Sequence, residues 1–170
     1  RVYYSGYIPI RDDANMPMMG SQPPLLRENR LYQTDWLLRF YGFEIQEILN
    51  DVHTNLDTQV DPKLGWALRN PHFFPVDINT ADYEMILRIP GVGVKSAKKI
   101  IQARRFGKIY TYQLKKLGIA YNRAKFFLNC ADSHFQSKDL ESNQIKQIIL
   151  SDSQSKYLKV DPQQLNLFAS

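Results

Sequence analysis

Residues 90–99 read Pro-Gly-Val-Gly-Val-Lys-Ser-Ala-Lys-Lys. Two glycines in a tight turn let the backbone fold sharply and leave no side chain in the way of a ligand. A helix starting straight after such a turn, here at Val94, has unsatisfied amides on its first residues. These sit at the positive end of the helix dipole and can donate to a phosphate oxygen. Lys95, Lys98 and Lys99 fall close to that point and add charge. The chemistry within reach is the holding of a phosphate backbone, and the residues that would do it are Gly91, Val92, Gly93, Val94, Lys95, Ser96, Lys98 and Lys99. Such contacts read little base sequence and weaken with salt.

Other chemistries find less support. The 170 residues contain one cysteine, Cys130, which excludes a disulfide framework and any zinc or iron–sulfur site built from several cysteines of this chain. Cys130 reads as a buried thiol. His53, His72 and His134 match no metal-ligand spacing. Asp12 with Asp13, and Glu44 with Glu47, are paired carboxylates in sequence only and read as solvated surface. No run of 18 apolar residues occurs, so no membrane span is expected, and a cytoplasmic setting is the default. The chain opens at Arg1 with neither a methionine nor a signal-peptide pattern, and it reads as a piece of a longer protein.

The charge is uneven. The net charge is +5, but residues 77–128 carry eleven basic side chains against three acidic ones, a net +8 that leaves −3 for the rest. A concentrated basic segment attracts polyanions, of which nucleic acid is the commonest, although a solvated helical face would look the same.

The elements that must position these residues are mostly helical. Residues 1–10 are aromatic and β-branched and predict a strand. Residues 11–24 predict a loop. Leu31, Trp36, Leu37, Phe40, Tyr41, Ile45, Ile48 and Leu49 recur at helical spacing over residues 25–50, with Gly42 as a break. Asp61 and Pro62 predict a helix start, and Pro71 a stop. Phe73, Phe74 and Trp66 are expected in the core, as are Tyr3, Tyr4, Tyr32, Tyr41 and Trp36. Asn79 is the expected cap of a helix ending at Ile89. Further helices are expected over residues 94–105, 111–117 and 121–130, with a weak one over 138–150 and a flexible polar tail from Ser151. One compact unit is expected, organised as an N-terminal extension (1–70), paired hairpins (71–130), a weak helix (131–150) and a tail (151–170).

Those hairpins form an internal repeat. Residues 87–101, LRIPGVGVKSAKKII, align with residues 114–128, LKKLGIAYNRAKFFL. Gly91 falls on Gly118, Val92 on Ile119, Ala97 on Ala124 and Lys98 on Lys125. Each copy reads helix, glycine turn, helix, and two copies can bury their apolar faces against each other.

The segment from Ile89 to Ala97 closely resembles the helix-hairpin-helix DNA-binding motif, and the doubled copy resembles its tandem form. The resemblance implies sequence-independent DNA binding, and a monovalent cation on the hairpin carbonyls. The second hairpin departs from the pattern, with Leu117 for the proline, Ala120 for the second glycine and Asn122 for the lysine. Gly118, Ala120, Asn122, Arg123 and Lys125 are therefore read first as a structural partner.

Residues 1–130 also resemble the C-terminal part of the DNA modification/repair radical S-adenosylmethionine proteins. The blocks RVYYSGYIPI, LLRENRLYQTDWLLRFYGF and DPKLGWALRNPHFFPVDINTADYEMILRIPGVGVKSAKKIIQARR carry this likeness. It implies an upstream catalytic barrel that holds an iron–sulfur cluster and S-adenosylmethionine, with residues 1–10 as its possible last strand. The three-cysteine motif of that barrel is absent from this chain, so the chain itself is not expected to do radical chemistry. Near its end, Gln164, Leu165, Leu167 and Phe168 in QLNLF resemble the bacterial sliding-clamp-binding peptide, where apolar side chains would fill a pocket and the glutamine would make polar contacts. Two rival readings stand. Helix-hairpin-helix DNA glycosylases carry a catalytic lysine where Lys95 falls, but the position of their catalytic aspartate is Gln113 here. A protein-interaction adaptor built on the hairpins and tail is the other.

Overall fold

A computed structural model describes residues 3–10, 14–16, 18, 25–133 and 140–157, with only the backbone for 153–157. The chain divides into two compact units, Arg1–Trp66 and Ala67–Ser170, rather than one.

In the first unit, helix α1 (Leu25–Phe40) ends where the sequence places its glycine. Gly42 has φ +67° and lets the Phe43 amide donate back to the Leu37 carbonyl, which closes the helix. Phe43 is thereby turned inward onto Trp66, edge to face, with ring centroids 5.3 Å apart. A single turn, α2 (Ile45–Ile48), follows, and Glu47 accepts from the Glu44 amide. Helix α3 (Pro62–Arg69) starts as expected, with proline at its first position and Asp61 Oδ1 accepting from the Leu64 amide at 3.1 Å. Lys63 is buried on α3 with its Nζ 4.6 Å from the Tyr41 ring centre, and burial pushes its ammonium down to about 7.

The second unit begins at Ala67, within α3, and continues with a turn of 3₁₀ helix (Pro71–Phe73) and strand β1 (Val76–Asp77). Helix α4 (Tyr83–Arg88), the turn at Gly91 and helix α5 (Val94–Ala103) form the first hairpin. A 3₁₀ turn (Thr111–Gln113), the turn at Gly118 and the single-turn helix α6 (Tyr121–Ala124) form the second. Strand β2 (Leu128–Asn129) then pairs with β1 in parallel, Val76 opposite Leu128 and Asp77 opposite Asn129. This pairing ties the entry of the first hairpin to the exit of the second. Ile78, Ile86, Ile89, Ile100, Ile109 and Leu114 fill the core between them. Helix α7 (Ser142–Tyr157) follows, with Ile145 and Ile149 buried one turn apart.

Several expectations are corrected. Residues 3–10 form no strand: the Tyr4 amide and carbonyl bond to the Tyr32 hydroxyl and the Gly6 amide bonds to Glu28, so side chains stand where a partner strand would. Tyr3, Tyr32, Trp36 and Phe73 are exposed rather than core. Asp82, not Asn79, caps α4 by accepting from the Met85 amide at 2.8 Å. Asn79 instead clips Ile109 at both its amide and its carbonyl. The helix expected over 111–117 is one 3₁₀ turn, and that over 121–130 stops at Ala124, because residues beyond it are needed for β2. Helix α7 runs past Ser151 to Tyr157. Asp12, Asp13, His134 and the Gln164, Leu165, Leu167, Phe168 group lie outside the described residues. No helix among the described residues is long and apolar enough to cross a membrane.

Candidate nucleic-acid interface

The alternation of small, apolar and basic residues builds the first hairpin. Along α5, Ala97 and Ile100 are buried, while Lys95, Lys98 and Lys99 are all exposed. Their spacing of three and four residues places the lysines on one face. Gly91 has φ +87°, a conformation that strongly favours glycine. Gly93 is different: at φ −96° and ψ 169° it is the extended cap residue of α5, and any residue adopts that backbone.

The start of α5 lacks the usual comforts of a helix N-terminus. Its cap residue supplies no side-chain acceptor, its first turn holds no acid, and Lys95 stands there instead. The amides of Gly93, Val94 and Lys95 have no acceptor among the described residues. Helix α4, by contrast, has Asp82 as a cap and Glu84 in its first turn. Positive charge at the positive end of a helix costs stability unless an anion joins it. The arrangement can therefore accept one phosphate oxygen on backbone amides, with three ammonium groups along the adjoining face.

The second hairpin uses its turn differently. The Ala120 amide, which corresponds to that of Gly93, donates to the Gly91 carbonyl at 3.0 Å. Ser96 Oγ donates to the Gly118 carbonyl at 2.9 Å. Each turn thus holds the other. A Cβ on Gly91 would lie 2.9 Å from the Ala120 carbonyl oxygen and 3.3 Å from the Ala124 nitrogen. The bare α-carbon of Gly91 consequently serves the packing of hairpin on hairpin. Ala97 and Ala124, equivalent in the repeat, are both fully buried.

The expected DNA-binding set divides accordingly. Gly93, Val94, Lys95, Lys98 and Lys99 are brought together at the open start of α5. Val92 and Ser96 are buried, and Ser96 is committed to Gly118. In the second hairpin Gly118, Ala120 and Asn122 are exposed, Arg123 is half-buried, and Lys125 lies over the Phe126 ring at 5.0 Å. Of the eleven basic residues in the charged segment, Arg104 is turned inward and donates to the carbonyls of Ile78 and Ala81. Gln113 accepts from the Tyr110 amide at 2.8 Å, so the position of the glycosylase aspartate is occupied by a local cap.

Sequence reasoning missed the mutual bond between the turns. It also missed the anchor at the base of the second hairpin. There Asp132 Oδ1 accepts from the Thr111 amide and hydroxyl and from the Cys130 thiol, and the Thr111 amide above all holds its carboxyl below the usual range. Thr111 and Asp132 are 21 residues apart, and no local pattern announces such a contact.

Residues 73–117 match the family model of the helix-hairpin-helix motif. The match takes in α4, the Gly91 turn and α5 and ends just before Gly118. This stretch is a helix-hairpin-helix motif, generally a module of sequence-independent DNA binding. Neither the comparison with curated proteins nor that with solved structures returns a match.

Proposed function

We propose that the second unit holds DNA by its phosphate backbone, with the amides of Gly93, Val94 and Lys95 on one phosphate and Lys95, Lys98 and Lys99 along the flanking strand. The single observation that carries this reading is the open start of α5. A helix of ten residues begins on a glycine with unpartnered amides and lysine in its first turn, inside a motif match that ends before the second turn. The Ile89 and Gly91 carbonyls each accept one amide, from Val92 and Ala120. Each keeps a second lone pair, on which a monovalent cation could sit and add a charge beside the phosphate.

The finer reading places this module in a DNA repair or modification enzyme of the radical S-adenosylmethionine kind. Its support is the set of sequence blocks across residues 1–130. The cluster would be held outside these residues, since Cys130 is the one cysteine and its Sγ lies against Thr111 and Asp132. Recruitment to a sliding clamp rests on the residue types of Gln164, Leu165, Leu167 and Phe168 alone. Phe168→Ala should abolish capture of the chain on an immobilised clamp if that reading holds.

The test of DNA binding is fluorescence anisotropy of a labelled blunt duplex with the whole chain across a salt series. Binding should weaken steeply with salt. Lys95→Ala/Lys98→Ala should cost about thirtyfold in affinity at low salt and flatten the salt slope by about two phosphate contacts. Failure of the folded chain to bind at low salt, or equal affinity in the double variant, overturns the reading in favour of the protein-interaction adaptor.

A further inference from the structure

Between the hairpins the chain makes a loop that the phosphate site does not use. Phe106 is 93% exposed and Tyr112 is 71% exposed. Tyr110 is also exposed, and its ring stacks on that of Tyr112 at 6.2 Å with an interplanar angle of 21°. An exposed phenylalanine in a loose loop would mean little. This loop is held at several points. The Phe106 amide donates to the Ala103 carbonyl at 3.0 Å. Gly107 has φ +154°, a conformation side-chain-bearing residues rarely adopt. Ile109 is buried, clipped by Asn79 on both sides, and its carbonyl also accepts from the Ala131 amide. Tyr110 is fixed by Gln113. The aromatic rings are therefore presented to solvent by a backbone that is pinned on both flanks.

The charge around them points to the occupant. Arg105 and Lys108 flank Phe106 and are both exposed. No acidic residue occurs from 85 to 131. Asp132, which reaches Thr111 in this segment, has Oδ1 engaged by Thr111 and Cys130. Flat rings interleaved with cations suit a polyanion whose own flat faces are free, which is unpaired nucleic acid. Base pairs inside a duplex cover such faces on one another, whereas every unpaired base leaves its own free for an aromatic ring.

We propose that residues 105–112 form a second nucleic-acid site, which stacks unpaired bases of single-stranded DNA on Phe106 and on the Tyr110–Tyr112 pair while Arg105 and Lys108 hold the adjoining phosphates. The site lies at the opposite end of α5 from the amides of Gly93 and Val94, so it is separate from the duplex clamp; it rests on that reading only for the choice of DNA. Together the two would favour a junction of duplex with single strand over either alone.

The test uses the whole chain and three labelled probes: a blunt duplex, an oligo(dT) strand, and the same duplex with an oligo(dT) overhang. The wild-type chain should bind the overhang probe more tightly than the blunt one. Phe106→Ala/Tyr112→Ala should lower oligo(dT) affinity about tenfold or more, erase the overhang advantage and leave blunt-duplex affinity within about twofold. Phe106→Trp should keep the affinity, and its indole emission should be quenched by oligo(dT). Lys95→Ala/Lys98→Ala should do the reverse, weakening the duplex and sparing the overhang increment. An overhang advantage that is absent in the wild type, or that survives in Phe106→Ala/Tyr112→Ala, overturns the proposal and leaves the loop as a surface for a protein. A chain that binds oligo(dT) through Phe106 but ignores duplex would sustain this site and sink the duplex clamp, so the two failures are distinguishable.

Discussion

The two hairpins descend from one pattern yet spend their turns on different tasks. Both turn glycines have positive φ, +87° at Gly91 and +81° at Gly118. Both following residues, Val92 and Ile119, are buried, and so are both alanines of the following helices. The difference is one amide. In the second hairpin it is consumed by the Gly91 carbonyl, and the helix behind it is a single turn with little dipole. In the first hairpin the corresponding amide has no acceptor among the described residues, and it opens a helix of ten residues. Of two similar turns, one can thus be left open by using the other as its support. The departures at Leu117, Ala120 and Asn122 fall on the copy that gives support.

The comparison can be broken most directly at Gly91. Gly91→Ala forces a side chain into a positive-φ position and against the Ala120 carbonyl. It should cost about 3 kcal/mol, a fall of at least about 10 °C in the thermal melt of the chain. Gly93→Ala, at an extended φ, should cost no more than about 1 kcal/mol, the ordinary difference between glycine and alanine at a helix cap, and equal damage at both positions would remove the distinction drawn between the two glycines.

Next in size is the difference in charge. The thirtyfold loss expected from Lys95→Ala/Lys98→Ala should have no counterpart in Asn122→Ala/Lys125→Ala, which should shift duplex affinity by no more than about twofold. Comparable losses from the two pairs would mean that both hairpins touch DNA.

Gly118→Ala comes third. Its Cβ would meet Ser96 Oγ at 3.2 Å, a hydroxyl that can rotate away, so about 1–2 kcal/mol from the backbone alone is expected. A melt as low as that of Gly91→Ala would show that the Ser96 contact is as unyielding as the Ala120 backbone.

The smallest effect concerns acid. The Asp132 carboxyl titrates below its ordinary value when folded, so its stabilisation is present above the unfolded-state carboxyl pKa and is lost as pH falls through the folded one. Asp132→Asn should therefore flatten the acid limb of stability slightly, between about pH 4 and the lower folded value. The first hairpin is anchored through the neutral Asn79, and Asn79→Ala should lower stability without changing that limb. An acid limb identical in Asp132→Asn and the parent chain would mean that the Thr111 contact is not formed.

Much of this organisation is legible before folding. The Gly91 and Gly118 turns, the amphipathic face of α5 and the start of α3 at Asp61 and Pro62 follow from local rules, and each is found where residue type places it. The end of the second hairpin was not legible. Phe126, Phe127 and Leu128 form a short apolar run that suits a buried helix end or a buried strand equally well. Pairing with Val76, some fifty residues earlier in the chain, decides for the strand. Asn79 and Asp82 are both good caps by type, and the demand of Ile109 for two hydrogen-bond partners assigns them. Among the aromatic residues assigned to the core, Trp66 is buried while Tyr3, Tyr32, Trp36 and Phe73 are exposed, because aromatic character records what can be buried and not whether a partner face exists.

The sequence by itself therefore determined where the chain turns, which face of α5 is charged, and that its basic residues are concentrated in one segment. These depend on φ preferences and on periods of three or four residues, which act over short range. Tertiary structure alone decided which of two similar turns keeps a free amide. That choice is the bond from Ala120 to Gly91, made across 29 residues by two docked hairpins, and it exists only once both are packed.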